Sequence, residues 1–186
     1  MEGYAEGEFH LDTSKVKIEM GACETRLCPA GREVVSYGNN NVIGNISADN
    51  IKKEFCYWFY VILPRQIQEL PQPSSTFASN CFSDNVDLEC TYTIDGLNRL
   101  KSTGLKMTIW VLYGIFKEEN LSFSPNLDYG GLQSQMDRYG ILTVEVSGTV
   151  HKGNSCIGRF EHTFELVRSP TKGTFEIKSA KLIMHK

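Results

Sequence analysis

Long apolar runs are missing from this chain of 186 residues; the longest, residues 55–63, is too short to cross a bilayer as a helix. Runs of basic residues are missing as well. With 19 Lys and Arg against 22 Asp and Glu, the formal charge is −3, which gives no electrostatic ground for direct nucleic-acid binding. Repeats and low-complexity segments are absent. The six cysteines (23, 28, 56, 81, 90, 156) are scattered, and Cys23 and Cys28 have no second Cys/His pair nearby to complete four zinc ligands, His10 being distant. Free thiols in a reducing compartment are the expectation. Gly130-Gly131 and Gly38-Asn-Asn-Asn lack the strand-to-helix setting of a phosphate loop. Neither a metal nor another cofactor is implied. The acidic first eight residues have no apolar core, so no signal peptide is expected. On that expectation the sequons at Asn45 and Asn120 are chance matches, and the location is nucleus or cytoplasm.

What is present is an ordinary globular composition, 41% hydrophobic and 22% charged, on a chain long enough for one cored domain with an extension. Residues 1–45 read as a partly ordered N-terminal extension and 46–186 as the domain. Ser47 is a candidate N-cap, with Asp49 and Asn50 in the first turn. Ile51, Phe55, Trp58, Phe59 and Ile62 follow at helical spacing, predicting an apolar helix over 48–63 that Pro64 ends or restarts, with a short helix over 65–70. Residues 77–82 are ambiguous between a helical turn and a loop. Residues 86–93 alternate as a strand, and Asp95 caps an expected helix over 96–117. A strand over 121–127 and a long connection over 128–140 come next. Three alternating segments close the chain, 141–150, 158–167 and 173–184, as an antiparallel meander. In the last of these, Phe175 and Ile177 are out of phase with Ala180, Leu182 and Met184, which predicts a β-bulge near Lys178–Ser179, the alternative being that both faces of the strand end are buried. The class is α+β.

This order resembles the nuclear transport factor 2-like family over residues 47–184. The residues that carry the resemblance are the aromatic first helix (Phe55, Phe59, Tyr60, Leu63), the Phe77–Phe82 segment, and the Asp95-Gly96 start. To these the closing pattern adds Ile141-Leu-x-Val-x-Val-x-Gly-x-Val150, Arg159-Phe160-x-x-Thr163-Phe164-x-Leu166 and Gly173-Thr-Phe-x-Ile177. Within the family the chain is most similar to the mRNA export receptor domain and that receptor's small heterodimeric partner. It departs from the family's Asn-Asp ending, having Lys178-Ser-Ala-Lys-Leu-Ile183 there. The resemblance implies a cone-shaped fold, a curved antiparallel sheet packed on a long N-terminal helix and shorter helices. It also implies a non-enzymatic module that dimerises through its sheet, as a heterodimer or homodimer, in nucleocytoplasmic transport and mRNA export at the nuclear pore.

The candidate partner-binding face follows from alternation plus that resemblance: Thr143, Glu145 and Ser147 on one strand, and Arg159, Glu161, Thr163 and Glu165 on the next. The bland alternative is a solvated face. Tyr57, Trp58, Trp110 and Tyr113 are candidates for a groove accepting Phe-Gly repeats of nuclear pore proteins, or Phe-Gly peptides outside transport, against the alternative that each is core. A cavity enzyme of the same fold, an isomerase or dehydratase, would need His162 as its base. Asp87 and Tyr92 are the other candidates near it, on opposite faces of their strand, and the alternative for His162 is a structural histidine bonded to a neighbour.

Overall fold

A computed structural model describes residues 48–74, 76–92, 98–128, 130–170 and 174–186. The expected extension, the Ser47 cap and the Asp95-Gly96 start lie outside these residues, as do Cys23 and Cys28. Helix α1 (Ala48–Tyr57) runs into a π-helical stretch (Trp58–Ile62) and then α2 (Leu63–Glu69). Proline at 64 brings no N–H, and its ring crowds the carbonyl four residues back. The widened register before it, in which the Leu63 N–H reaches the Trp58 carbonyl, makes room for that ring. Pro64 therefore stands in the first turn of α2, restarting the helix where the expectation allowed for either an end or a restart.

Among the described residues seven strands follow: β1 (Phe82–Tyr92), β2 (Asn98–Thr103), β3 (Leu121–Pro125), β4 (Leu132–Met136), β5 (Leu142–Lys152), β6 (Ser155–Arg168) and β7 (Phe175–His185). Between β2 and β3 lie α3 (Leu105–Tyr113) and a second π-helical stretch (Gly114–Glu118). The sheet order is β2-β1-β7-β6-β5-β3, with β4 also paired to β5. The closing meander is antiparallel as the alternation predicts.

Three expectations are corrected. The sheet is mixed, because β1 runs parallel to β7. Alternation fixes which face a strand buries but not which distant strand lies beside it, and the chain between these two is long enough for a crossover. The helix expected over 96–117 is also wrong in its first part, since residues 98–103 are strand β2 and the helix starts at Leu105. Pairing with β1 decides that segment over its local propensity. Finally, the connection over 128–140 contains β4, whose Gln-Ser-Gln centre carries no apolar alternation to announce it.

The bulge stands where the phase break placed it. Opposite β6, Glu165 pairs with Ser179 but Leu166 pairs with Ile177, leaving Lys178 unpaired. On the other side of β7, Phe82 pairs with Ile177 and Asp87 with Ser179, so β1 also shifts there. The slip lets Ile177, Ala180, Leu182 and Met184 all be buried, and it bends the sheet.

The concave side closes on α1. Phe55 and Phe59 pack their rings on Phe164 at 4.8 and 4.7 Å between centroids, and Tyr60 lies over Phe160 at 5.6 Å. Phe123 and Phe116 complete the aromatic centre. Gly148 has a steric role. A Cβ there would run into the Ser124 carbonyl oxygen and come within 2.8 Å of the Phe160 ring, so only glycine lets β3 close on β5.

Candidate partner-binding face and the closed cone

Leu142, Val144 and Val146 on β5 and Phe160, His162, Phe164 and Leu166 on β6 are buried. Their alternates turn to the opposite, outer face. Register aligns these alternates into rows that cross the sheet. Glu145 stands opposite Thr163, which stands opposite Lys181, which stands opposite Glu89 of β1 and then Lys101 of β2. The next rows run Thr143, Glu165, Ser179, Asp87, Thr103 and Ser147, Glu161, Ile183, Thr91, Arg99. Thr163 is thus ringed by Glu145, Glu161 and Glu165, with Lys181 the one cation directly opposite it. Ser179 donates to Glu165 at 2.9 Å, and Thr103 donates to Asp87 at 2.7 Å. Glu145, Glu161 and Arg159 are exposed, while Thr163 and Glu165 are half-buried.

All seven residues expected on this face lie on one side of β5 and β6. Sequence reasoning missed the contributions of β1, β2 and β7. Lys181 and Ile183 were legible in the alternation after the bulge. Arg99 and Lys101 were hidden by reading their segment as helix.

The four aromatics expected to form a groove are not brought together. Trp58 and Tyr113 are core residues, the Tyr113 hydroxyl donating to the Pro71 carbonyl at 3.3 Å. Tyr57 and Trp110 are exposed, at 57% and 51%. Trp110 borders a cavity of about 720 Å³ between α3 and the strand ends, whose wall includes Leu100, Tyr92, Ile115, Ile157 and Met184 but not Tyr57. The Glu119–Lys152 ion pair, 3.0 Å, stands at its rim.

His162 is in the sealed centre. Its Nδ1 lies 3.0 Å from the Tyr60 hydroxyl, either accepting from the phenol or donating an N–H to its oxygen, and its Nε2 has no partner. Phe164, 3.8 Å away between ring centroids, and Phe59, 5.2 Å away, cover the imidazole. Burial holds its pKa down at about 3, and burial, followed by the nearby Cys56, raises that of Tyr60. No residue of the open cavity wall is His162. A base enclosed this way has no substrate within reach, and Asp87 and Tyr92 lie away from it, Asp87 outward on Thr103 and Tyr92 at the cavity. The imidazole behaves as a structural group.

Among the described residues, no cluster of three His, Cys, Asp or Glu could hold a metal, and no helix is long and apolar enough to cross a membrane. Cys56, Cys90 and Cys156 are free, whereas Cys81 is disulfide-bonded, against the expectation of free thiols throughout.

A family model, the DUF4518 C-terminal domain, matches residues 49–186. The chain belongs to the DUF4518 family. The DUF4518 domain is 39% identical over 131 residues to the rat (Rattus norvegicus) "Uncharacterized protein C3orf38 homolog" and 37% identical to the mouse (Mus musculus) protein of that name. That alignment takes in 70% of this chain and 38% of each relative, so the chain spans well under half the length of the curated relatives it matches. Among solved structures, nuclear transport factor 2 from Cryptosporidium parvum superposes with a TM-score of 0.53 at 17% identity, over 75% of this chain and 96% of that one. The yeast UBP3-associated protein BRE5 gives 0.49 at 19% identity, over 71% and 95%. The fold of the DUF4518 domain is the nuclear transport factor 2-like cone.

Proposed function

We propose that this chain is a non-enzymatic protein-binding module that pairs through the outer face of its sheet with a second protein of the same fold, in nucleocytoplasmic transport and specifically mRNA export. The observation that carries the reading is the ring of Glu145, Glu161 and Glu165 around Thr163. In a symmetric pairing centred there, three carboxylates would meet their own copies, which is repulsive. A partner sheet presenting Lys or Arg at that point meets them favourably, so the preferred product is a heterodimer. Affinity comes from covering the face, and the charges set orientation and partner choice. Cargo RNA is held elsewhere in the assembly, in keeping with the formal charge of −3. Residence in nucleus and cytoplasm follows from that role.

The test places a photo-crosslinking amino acid at Thr163, and at Lys106 on α3 as a control, and identifies the products by mass spectrometry. Crosslinks from Thr163 to a protein of the same fold, lost in Glu145→Lys, are expected. Equal products from both positions, together with a monodisperse monomer by light scattering, would overturn the pairing. Unchanged nuclear polyadenylated RNA after depletion of the protein would overturn the transport role alone.

A further inference from the structure

Strand β2 ends the sheet. Among the described residues, nothing pairs with its outer edge. The Gly104 N–H donates to the Val86 carbonyl at 2.8 Å, which fixes the parity of the β1–β2 ladder. The even-numbered residues of β2 turn their backbone groups to β1, and Arg99, Lys101 and Thr103 turn theirs to the open edge. The same alternation divides the side chains. Leu100 and Ser102 face α3, where Ser102 is bonded to Thr108, while Arg99 and Lys101 point to the outer face.

The inner side of this edge is apolar. Leu100, 40% exposed, lines the 720 Å³ cavity together with Trp110, and Met107 stands exposed one turn before Trp110 on α3. The outer side is basic. Arg99 Nε and Lys101 Nζ each lie 3.4 Å from the Glu89 carboxylate, so two cations share one anion, and Lys181 stands opposite Glu89 on its other side. Asp87, the other acid there, is engaged by Thr103 at the far end of the strand.

From this arrangement we infer that β2 is a docking edge for an extended segment of a partner protein in which apolar and acidic residues alternate. Added as an eighth strand, the segment takes the open N–H and C=O groups of Arg99, Lys101 and Thr103. Its apolar residues fall beside Leu100 and Trp110 at the cavity mouth, and its acidic residues fall beside Arg99 and Lys101. A second copy of this chain fits poorly at the same edge, because two β2 strands would set Arg99 and Lys101 against their own copies. The site shares Arg99 and Lys101 with the rows of the outer face but is centred on the backbone edge of β2 and the cavity mouth, four strands' breadth from Glu145. Absence of peptide binding therefore leaves the sheet-pairing proposal standing, and loss of the Thr163 crosslinks leaves this one standing.

The probe is a seven-residue capped peptide alternating glutamate with leucine and phenylalanine, titrated into the full chain while tryptophan fluorescence is followed. A Trp110→Phe control removes the reporting ring. Saturable binding is expected, weakened about tenfold by Lys101→Glu, a loss of roughly one charge contact. Lys101→Pro should abolish it, because that substitution removes an N–H from the open edge and none from the pairing with β1. Replacing glutamate by lysine in the peptide should abolish binding as well. The inference is overturned if no saturable signal appears, if Lys101→Glu and Lys101→Pro bind as well as the parent, or if the lysine peptide binds equally. A parent chain that is dimeric without peptide, and monomeric as Lys101→Pro, would assign the edge to a second copy and also overturn it.

Discussion

The Tyr60 hydroxyl lies 3.0 Å from Nδ1 of His162, joining the π-helical stretch after α1 to the middle strand of the closing meander across 102 residues of sequence. The contact is buried, and the Phe59 and Phe164 rings pack against the imidazole. Its consequence is for stability.

His162 has a folded pKa of about 3 against 6.5 for the free side chain. Below pH 6.5 the unfolded chain takes up a proton that the folded chain refuses. The stabilisation is therefore complete above pH 6.5 and is lost as pH falls toward 3, by up to about 1.4 kcal/mol per pH unit. Urea unfolding at pH 7.5, 5.5 and 4.5 should show that slope, and His162→Phe should flatten it. The same slope in both proteins would place its origin in other groups.

Phe164 touches Phe55, Phe59 and His162 and is fully buried. Phe164→Ala should cost about 3–5 kcal/mol in denaturant midpoint experiments, the transfer of the ring plus the cavity it leaves. Phe164→Leu should cost roughly half as much, since most of the volume is refilled.

Gly148 lies against the Ser124 carbonyl and the Phe160 ring. Gly148→Ala should destabilise by about 1–3 kcal/mol through overpacking. Amide exchange should accelerate first in β3, which pairs with β5 there. A variant as stable as the parent would mean that β3 shifts without cost.

Burial separates the free thiols. Cys56 is pushed up to about 12 and Cys90 to about 11, while Cys156 is exposed. Peptide mapping after brief maleimide treatment at pH 7.5 should find Cys156 modified, with Cys56 and Cys90 reacting only in denaturant. Early labelling of Cys56 would show that the α1 side of the core opens readily.

Glu145 and Glu161 are exposed. Glu145→Lys with Glu161→Lys should change folding stability by less than about 0.5 kcal/mol. The same pair should abolish association with a partner that uses the outer face, as read by sedimentation velocity on the purified complex. Association that survives this reversal would move the interface off the sheet.

The amino-acid order by itself determined which residues are inside. Alternation over β5, β6 and β7 names the buried and outer sets, and the phase break before Ala180 marks either a bulge or a strand end buried on both faces, of which the β6–β7 register shows the bulge. The spacing of Phe55, Phe59 and Leu63 likewise declares the helix that the sheet grips. Tertiary structure alone decided the rest. Residues 98–103 become a strand through pairing with β1, and β1 lies parallel to β7 through a contact between the first and last strands. Those long-range pairings put Glu89 between Lys101 and Lys181 and, among the described residues, leave β2 with an open edge. Neighbours in sequence carry no record of them, since backbone hydrogen bonds to a distant strand ask little of side-chain identity.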